Sequence, residues 1–320
     1  MKDFRINEND AGQRVDKFLS KAIKKMPKSM MYKAIRNKKI KVNRKRCSID
    51  QILQVGDSIQ CFLPPDVFDT EVSMDFLKAK ITFEVVYEDD FLLIVDKPAN
   101  TLVHQANMSD NDLVNQIKRY CYERGEYNPY EEHSFSPSLC HRIDRNTTGL
   151  VIAAKKASAL RFVNECIRNR SLKKYYLCIC EGVFEKKHAL LKHYYKKDEE
   201  LNKAFIFDDD RDSGLEVSLT YRVLKDNDSF SLVEVELISG KSHQIRAQLS
   251  HMHHPLLGDS KYGSKYRRKD GQALCAYRLI FAESIAQQEF KYLEGKEIKL
   301  KRNGLQEEYK RLEADFIGSK

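Results

Sequence analysis

His141-Arg142-Ile143-Asp144-Arg145-Asn146-Thr147-Thr148-Gly149-Leu150 is the stretch on which the fold of this chain turns. It reads as a loop running into a strand. Val151, Ile152, Ala153 and Ala154 continue it as an apolar run, which Lys155-Lys156 close. Asp144 lies between Arg142 and Arg145, and nearby positive charge keeps a carboxylate ionised. An ionised carboxylate at a cleft mouth serves as nucleophile, base or anchor for a cation. The arginines hold phosphate bidentately without losing charge, and Gly149 supplies backbone freedom for a sharp turn. A lone Asp in a polar loop is otherwise a turn or capping residue, so the stretch takes its weight from its surroundings.

The 320 residues suit two domains, and 42% hydrophobic with 32% charged residues describes a globular chain. No apolar run approaches the ~18 residues of a membrane helix. Met1-Lys2-Asp3-Phe4-Arg5 lacks the apolar core of a signal peptide, so a cytoplasmic location is expected. The 8 cysteines are scattered without a Cys-x-x-Cys pair, which points to neither zinc nor a disulfide framework. Cys178 and Cys180 read as packed thiols. Net charge is +9, with +10 carried by residues 1–65 and −1 by the rest. Cations concentrated in one small unit suit a polyanion, because binding releases its counterions.

In the basic unit, Val15, Phe18, Leu19, Ala22 and Ile23 form one stripe of a helix over 10–26, ended by Pro27. Ser29 is the expected cap of a second helix through Asn37. An extended stretch to Val42, a turn at Asn43 and a strand through Ile59, Cys61 and Leu63 follow. Residues 66–80 read as a polar linker that tethers loosely. Beyond it, 81–87 and 91–95 are expected strands, 112–122 a helix, and Ala159, Phe162, Val163, Cys166 and Ile167 another helical stripe. Leu172 to Gly182 is strand-like, which sends Tyr175 and Tyr176 to opposite faces. Val217–Val223 and Val233–Leu237 alternate as an antiparallel pair, whereas 185–215 is charged and poorly patterned. Its run Asp208-Asp209-Asp210-Arg211-Asp212 lacks calcium-loop spacing and reads as a solvated hairpin tip. Ser242 is the expected cap of a helix whose stripe is Ile245, Leu249 and Met252, with Arg246 half-buried beside it and needing an acidic partner. His251, His253 and His254 have no ligand partner in register, so no metal is expected. Ala276–Phe281 suits a closing strand and the tail from 305 a charged helix.

Residues Gln13 to Leu19, Lys28-Ser29, Lys39 to Asn43 and Gly56-Asp57 resemble the alpha-L RNA-binding domain, also known from ribosomal protein S-four. That resemblance implies phosphate contacts at Lys33, Arg36, Lys38, Lys39, Arg44, Lys45 and Arg46. The whole chain resembles the RluA-type pseudouridine synthases, closest to their ribosomal large-subunit branch. His141 to Leu150 is similar to that family's His-Arg-Leu-Asp-x-x-Thr-Ser-Gly-Leu, with Ile143 for Leu and Thr148 for Ser. Asp96-Lys97-Pro98-Ala99-Asn100 resembles Asn-Lys-Pro-x-Gly, and Asn100 tolerates the left-handed backbone of the usual Gly. Lys174 to Gly182 and Ser239 to Arg246 resemble two further family segments, the second with Lys241 for Arg, and Gly258-Asp259 and Tyr262-Gly263 complete the match.

The resemblance implies an α+β fold: a mainly antiparallel mixed sheet flanked by helices and loops, plus a small N-terminal α+β unit. It divides the chain into an RNA-binding domain 1–65, a linker 66–80 and a catalytic domain 81–320. It implies uridine isomerisation in structured RNA, ribosomal RNA of the large subunit first, alone or in a pre-ribosomal particle, by a monomer without cofactor or membrane. Asp144 would be the essential carboxylate, attacking the ribose anomeric carbon or assisting glycosidic cleavage otherwise. Tyr176 would pack on the base, Arg246 would pair with Asp144, and Arg142 would enter the RNA stack. The alternatives are the same reaction on transfer RNA and a non-catalytic ribosome-assembly factor.

Overall fold

The computed structural model describes residues 1–68, 72–103, 111–210 and 214–317. The basic segment builds β1 (Lys2–Arg5), α1 (Val15–Ala22), α2 (Lys28–Arg36), β2 (Ile40–Val42), β3 (Lys45–Arg46) and β4 (Ser58–Cys61). These strands pair as a sheet in the order β1-β4-β2-β3. The stripe read from α1 is buried against Phe4, Ile40, Ile59 and Cys61, a core of its own. Ser29 does not cap α2: the helix starts at Lys28 after extended Pro27, with no side-chain cap. Proline fits there because its fixed φ suits a helix entrance and its missing N–H is not needed.

The larger part contains β5 (Glu84–Glu88), β6 (Leu92–Lys97), α3 (Leu113–Glu123), β7 (Ser138–Leu139), β8 (Thr148–Ala154) and α4 (Ala157–Arg168). It continues through β9 (Leu172–Glu181), β10 (His188–Asp198), β11 (Lys203–Phe207), β12 (Leu215–Asp226), β13 (Phe230–Leu237), α5 (Gln244–His251), β14 (Leu274–Phe281), β15 (Glu297–Lys299) and α6 (Gly304–Ile317). One mixed sheet runs β11-β10-β12-β13-β9-β14-β8-β6-β5, with β15 on β14 and β7 on β8. Only β14 and β8 run parallel among the described pairs. β6 and β8 are continuous apolar runs because both faces are covered. Leu92 and Ile94 join Phe162 of α4 and Tyr309 of α6 on one face, while Leu93 and Val95 meet Ile117 of α3 and Leu249 of α5 on the other. The stretch expected to close the sheet, β14, lies inside it between β9 and β8.

The poorly patterned span 185–215 holds two strands, β10 and β11. Their inward positions include Leu191, His193, Tyr195, Ala204 and Ile206. A histidine and a tyrosine among lysines hid the alternation from a hydrophobicity count. Residues 211 and 212 of the acidic run lie outside the described residues.

The span 66–80 packs over part of its length. Phe76 is buried, edge-on to Tyr122 at 5.6 Å between ring centroids. The basic unit also touches the larger part directly. Ser134 Oγ donates to Asp10 Oδ1 at 2.6 Å, Asn9 Nδ2 donates to Glu132 Oε1 at 2.7 Å, and Asn9 Oδ1 accepts from the Ala157 N–H at 3.0 Å. The His133 ring stands edge-on to Phe4 at 5.4 Å. Besides the span 66–80, a polar contact that caps the start of α4 joins the two parts.

Candidate active site

Asp144 lies in the loop that feeds β8. The Thr147 N–H donates to the Asp144 carbonyl at 3.1 Å, closing a turn, and the buried Thr147 hydroxyl accepts from Gln272 Nε2. Gly149 follows at φ +106, where a Cβ would collide with the Ala276 carbonyl oxygen. Only glycine fits, because β8 and β14 run against each other there. From behind, Lys97 on β6 ties the loop down. Its fully buried ammonium donates to the carbonyls of Pro98 (3.0 Å), Thr101 (3.0 Å) and Arg145 (2.9 Å). Burial pulls its pKa down to about 8 despite Asp144 and Asp96 nearby. Asn100 takes φ +62, the left-handed turn expected of it. Asp96, where the resemblance has Asn, lines a separate cavity with Glu84 and Arg268.

The loop opens onto a cavity of about 450 Å³ lined by Asp144, Tyr176 and Arg246 among others. Arg246 Nη1 donates to Asp144 Oδ2 at 2.9 Å. Its fork is used elsewhere: Nε and Nη2 donate to the Asp259 carboxylate at 2.6 and 2.8 Å. Arg246 is buried, at 7% exposure, rather than half-buried. Burial opposes its charge, but Asp259 and then Asp144 outweigh that and raise its pKa. Tyr176 is buried on the face of β9 that meets the cavity, and Tyr175 faces the opposite core. Burial, then the Asp144 charge, holds the Tyr176 hydroxyl above its ordinary range, so it stays protonated.

His243 completes the group. It occupies the N-cap of α5 at φ +57 and provides no side-chain cap, and Ser242 is not the cap either. The Gln244 side-chain oxygen instead accepts the Lys241 N–H at 3.0 Å, closing the turn from inside the helix. The Tyr262 hydroxyl accepts from the Ala204 N–H at 2.8 Å and lies 3.1 Å from His243 Nδ1. His243 Nε2 lies 3.8 Å from Asp144 Oδ2. Burial lowers the His243 pKa against the pull of Asp144. Asp259, His243 and Tyr262 had no role in the reading of the sequence. All three fall inside the motifs quoted above, but no periodicity separates them from packing residues.

Arg142 is exposed at the cavity rim. The basic candidates Lys33, Arg36, Lys38, Lys39, Arg44, Lys45 and Arg46 are all exposed on α2, its following turn and the β2–β3 hairpin, without an ion pair among the described residues. His193, Asp208 and His251 approach each other closely enough to suggest a metal site. A chain of amides argues otherwise. Gln244 accepts from Lys241 N–H and donates to Gln248, which donates to His193 Nδ1 at 2.9 Å. That fixes the neutral His193 proton on Nε2, the nitrogen facing Asp208 at 3.8 Å, where a ligand needs a lone pair.

Among the described residues no helix is long and apolar enough to cross a membrane. The sequence profile of the family described as RNA pseudouridylate synthase matches residues 91–251. The chain is 31% identical over 266 residues to the ribosomal large subunit pseudouridine synthase C of Buchnera aphidicola, covering 81% of this chain and 80% of that one. It is 32% identical over 288 residues to an uncharacterized RNA pseudouridine synthase of Mycoplasma capricolum, covering 88% and 92%. Among solved structures it resembles human RNA pseudouridylate synthase domain containing 4, with a TM-score of 0.53 at 22% identity over 68% of this chain and 88% of that one. On this sequence match, together with the shared fold, the chain belongs to the RNA pseudouridylate synthase family.

Proposed function

We propose that the chain converts specific uridines to pseudouridine in structured RNA, large-subunit ribosomal RNA first, with Asp144 as the essential carboxylate. The observation that carries this is the state of Asp144. Among the described residues it is the sole carboxylate lining the cavity, and it accepts from an arginine that Asp259 already holds rigid. The bond from the ribose anomeric carbon to uracil N1 breaks, the base turns, and the bond to C5 forms. The C5 proton leaves and N1 gains one, so nothing is oxidised and no outside group is needed. Asp144 assists the cleavage, Arg246 pairs with it and aims it, and protonated Tyr176 packs on the base and relays a proton. Arg142 at the rim fills the stack that the flipped uridine leaves. The ribosomal substrate is supported by the names of the curated relatives and by the +10 charge of the first 65 residues.

Asp144→Asn keeps the shape and removes the charge. Tritium release from C5 of labelled uridine in RNA is expected to vanish, with folding and RNA binding nearly intact. Activity retained above a few per cent would overturn the role given to Asp144. Mapping pseudouridine in ribosomal and transfer RNA, with and without this gene, decides between the two substrates.

A further inference from the structure

Around the cavity the charge is lopsided. Asp144 faces Arg142, Arg168, Arg170, Lys174, Lys241 and Arg246. Arg246 is neutralised by Asp259 and Asp144, and Arg168 pairs with Glu165. Arg170, Lys174 and Lys241 line the cavity with no carboxylate in ion-pair range among the described residues. Lys174 is half-buried, two positions before Tyr176 on the same face of β9. Burial lowers its pKa with no acid to offset it. A sheltered ammonium without a counterion is a poor arrangement for folding alone. The Ser239–Lys241 turn sits directly on it, since a Cβ at Gly240 would lie 3.3 Å from Lys174 Nζ.

Arg170 is the second, independent sign. α4 ends in a left-handed closure, with the Ser171 N–H donating to the Cys166 carbonyl at 2.8 Å and Arg170 at φ +62. Glycine is the residue that this position ordinarily takes, because a side chain there is strained. The chain keeps an arginine where stability prefers glycine, and that arginine lines the cavity.

We propose that Arg170, Lys174 and Lys241 form a phosphodiester-binding site at the cavity mouth, gripping the RNA backbone beside the uridine held at Asp144. This rests on the reading of the cavity as a uridine site. The RNA strand then crosses between the α4–β9 turn and the turn before α5, with Arg142 on the stacked side.

The test uses the full-length protein and a uridine-containing RNA hairpin tritiated at C5, with anisotropy titrations over a range of KCl concentrations. Arg170→Gly is expected to hold or raise the thermal midpoint while it weakens binding. The slope of log K against log salt should flatten by roughly 0.7 to 0.9 for each phosphate that is no longer neutralised. Adding Lys174→Met should flatten it by about as much again, and kcat/KM should fall mainly through KM. An unchanged slope in Arg170→Gly, with the wild type releasing tritium, overturns the backbone site and leaves the uridine reading standing. A wild type that releases no tritium from ribosomal or transfer RNA overturns both.

Discussion

Arg246 shows what one side chain does when two acids compete for it. Its fork is committed to Asp259, 2% exposed, and one remaining N–H reaches Asp144. A buried pair broken from one side leaves an uncompensated charge, at a cost of about 3 to 5 kcal/mol. Arg246→Ala should therefore destabilise by about that much, read by urea unfolding. In double-mutant cycles the coupling of Arg246 to Asp259 should exceed its coupling to Asp144, which is open to water on the cavity side. Equal couplings, or a larger one to Asp144, would mean that Asp259 is not the anchor. Arg246→Lys keeps charge but not the fork, so activity should fall further than stability. The Asp144–Arg246 pair was legible in the sequence only through two motifs 102 positions apart. Asp259 stands in a third motif, but nothing in its neighbours says that its carboxylate is buried. Histidine tautomers are less legible still. That of His193 follows, through Gln244 and Gln248, from the backbone N–H of Lys241, which only the fold brings near.

Elements with one clean period were readable and those with mixed polarity were not. The β12–β13 pair was visible as alternation, and its register sets Leu219 opposite Leu237 and Tyr221 opposite Val235. β10 alternates too, but with histidine, tyrosine and lysine, and so was missed. Helix starts were misassigned for the same local reason: serine is a good cap in general, yet Pro27 and His243 hold the positions here. The loop that carries Asp144 is held by two elements at once, and each can be tested. Gly149→Ala drives a Cβ into the β14 backbone at a positive φ, so it should cost roughly 3 kcal/mol or more and lower the unfolding midpoint. A variant as stable as the wild type would show that β8 and β14 yield there. Lys97 gives a pH signature. Its folded pKa of about 8 lies below the ordinary lysine value of 10.5, so between these the unfolded chain binds more protons. Stability should therefore rise from pH 8 towards 10.5 through this group. Lys97→Met should be less stable at neutral pH, with three carbonyls left unpaired, and should lack that rise. Parallel pH curves for the two proteins would remove Lys97 as the source.

At the scale of the whole molecule, charge and docking act together. The sequence showed where the cations are but not how they are aimed. Polar side chains at Asn9, Asp10 and Gln13 make the join, and composition assigns those to solvent. Asn9 caps the start of α4, and Arg170 follows the far end of that same helix. Its 12 residues span about 18 Å. One helix thus separates the docked basic unit from the cavity mouth, and on the proposed reading an RNA gripped by both would keep a fixed distance between grip and target. A chain starting at Ser73 retains Phe76 against Tyr122 and Tyr127, so the larger core stays covered. It should fold with a lower thermal midpoint, because Ser134 and the α4 start lose Asp10 and Asn9. Its RNA binding should be weaker and should depend less steeply on salt, since phosphate contacts set that slope. Tritium release at saturating RNA should survive, because Asp144, Tyr176 and Arg246 all lie beyond the cut. Equal salt slopes for the two lengths would show that the +10 unit is not the grip, and would leave the cations of the cavity mouth to hold the RNA alone.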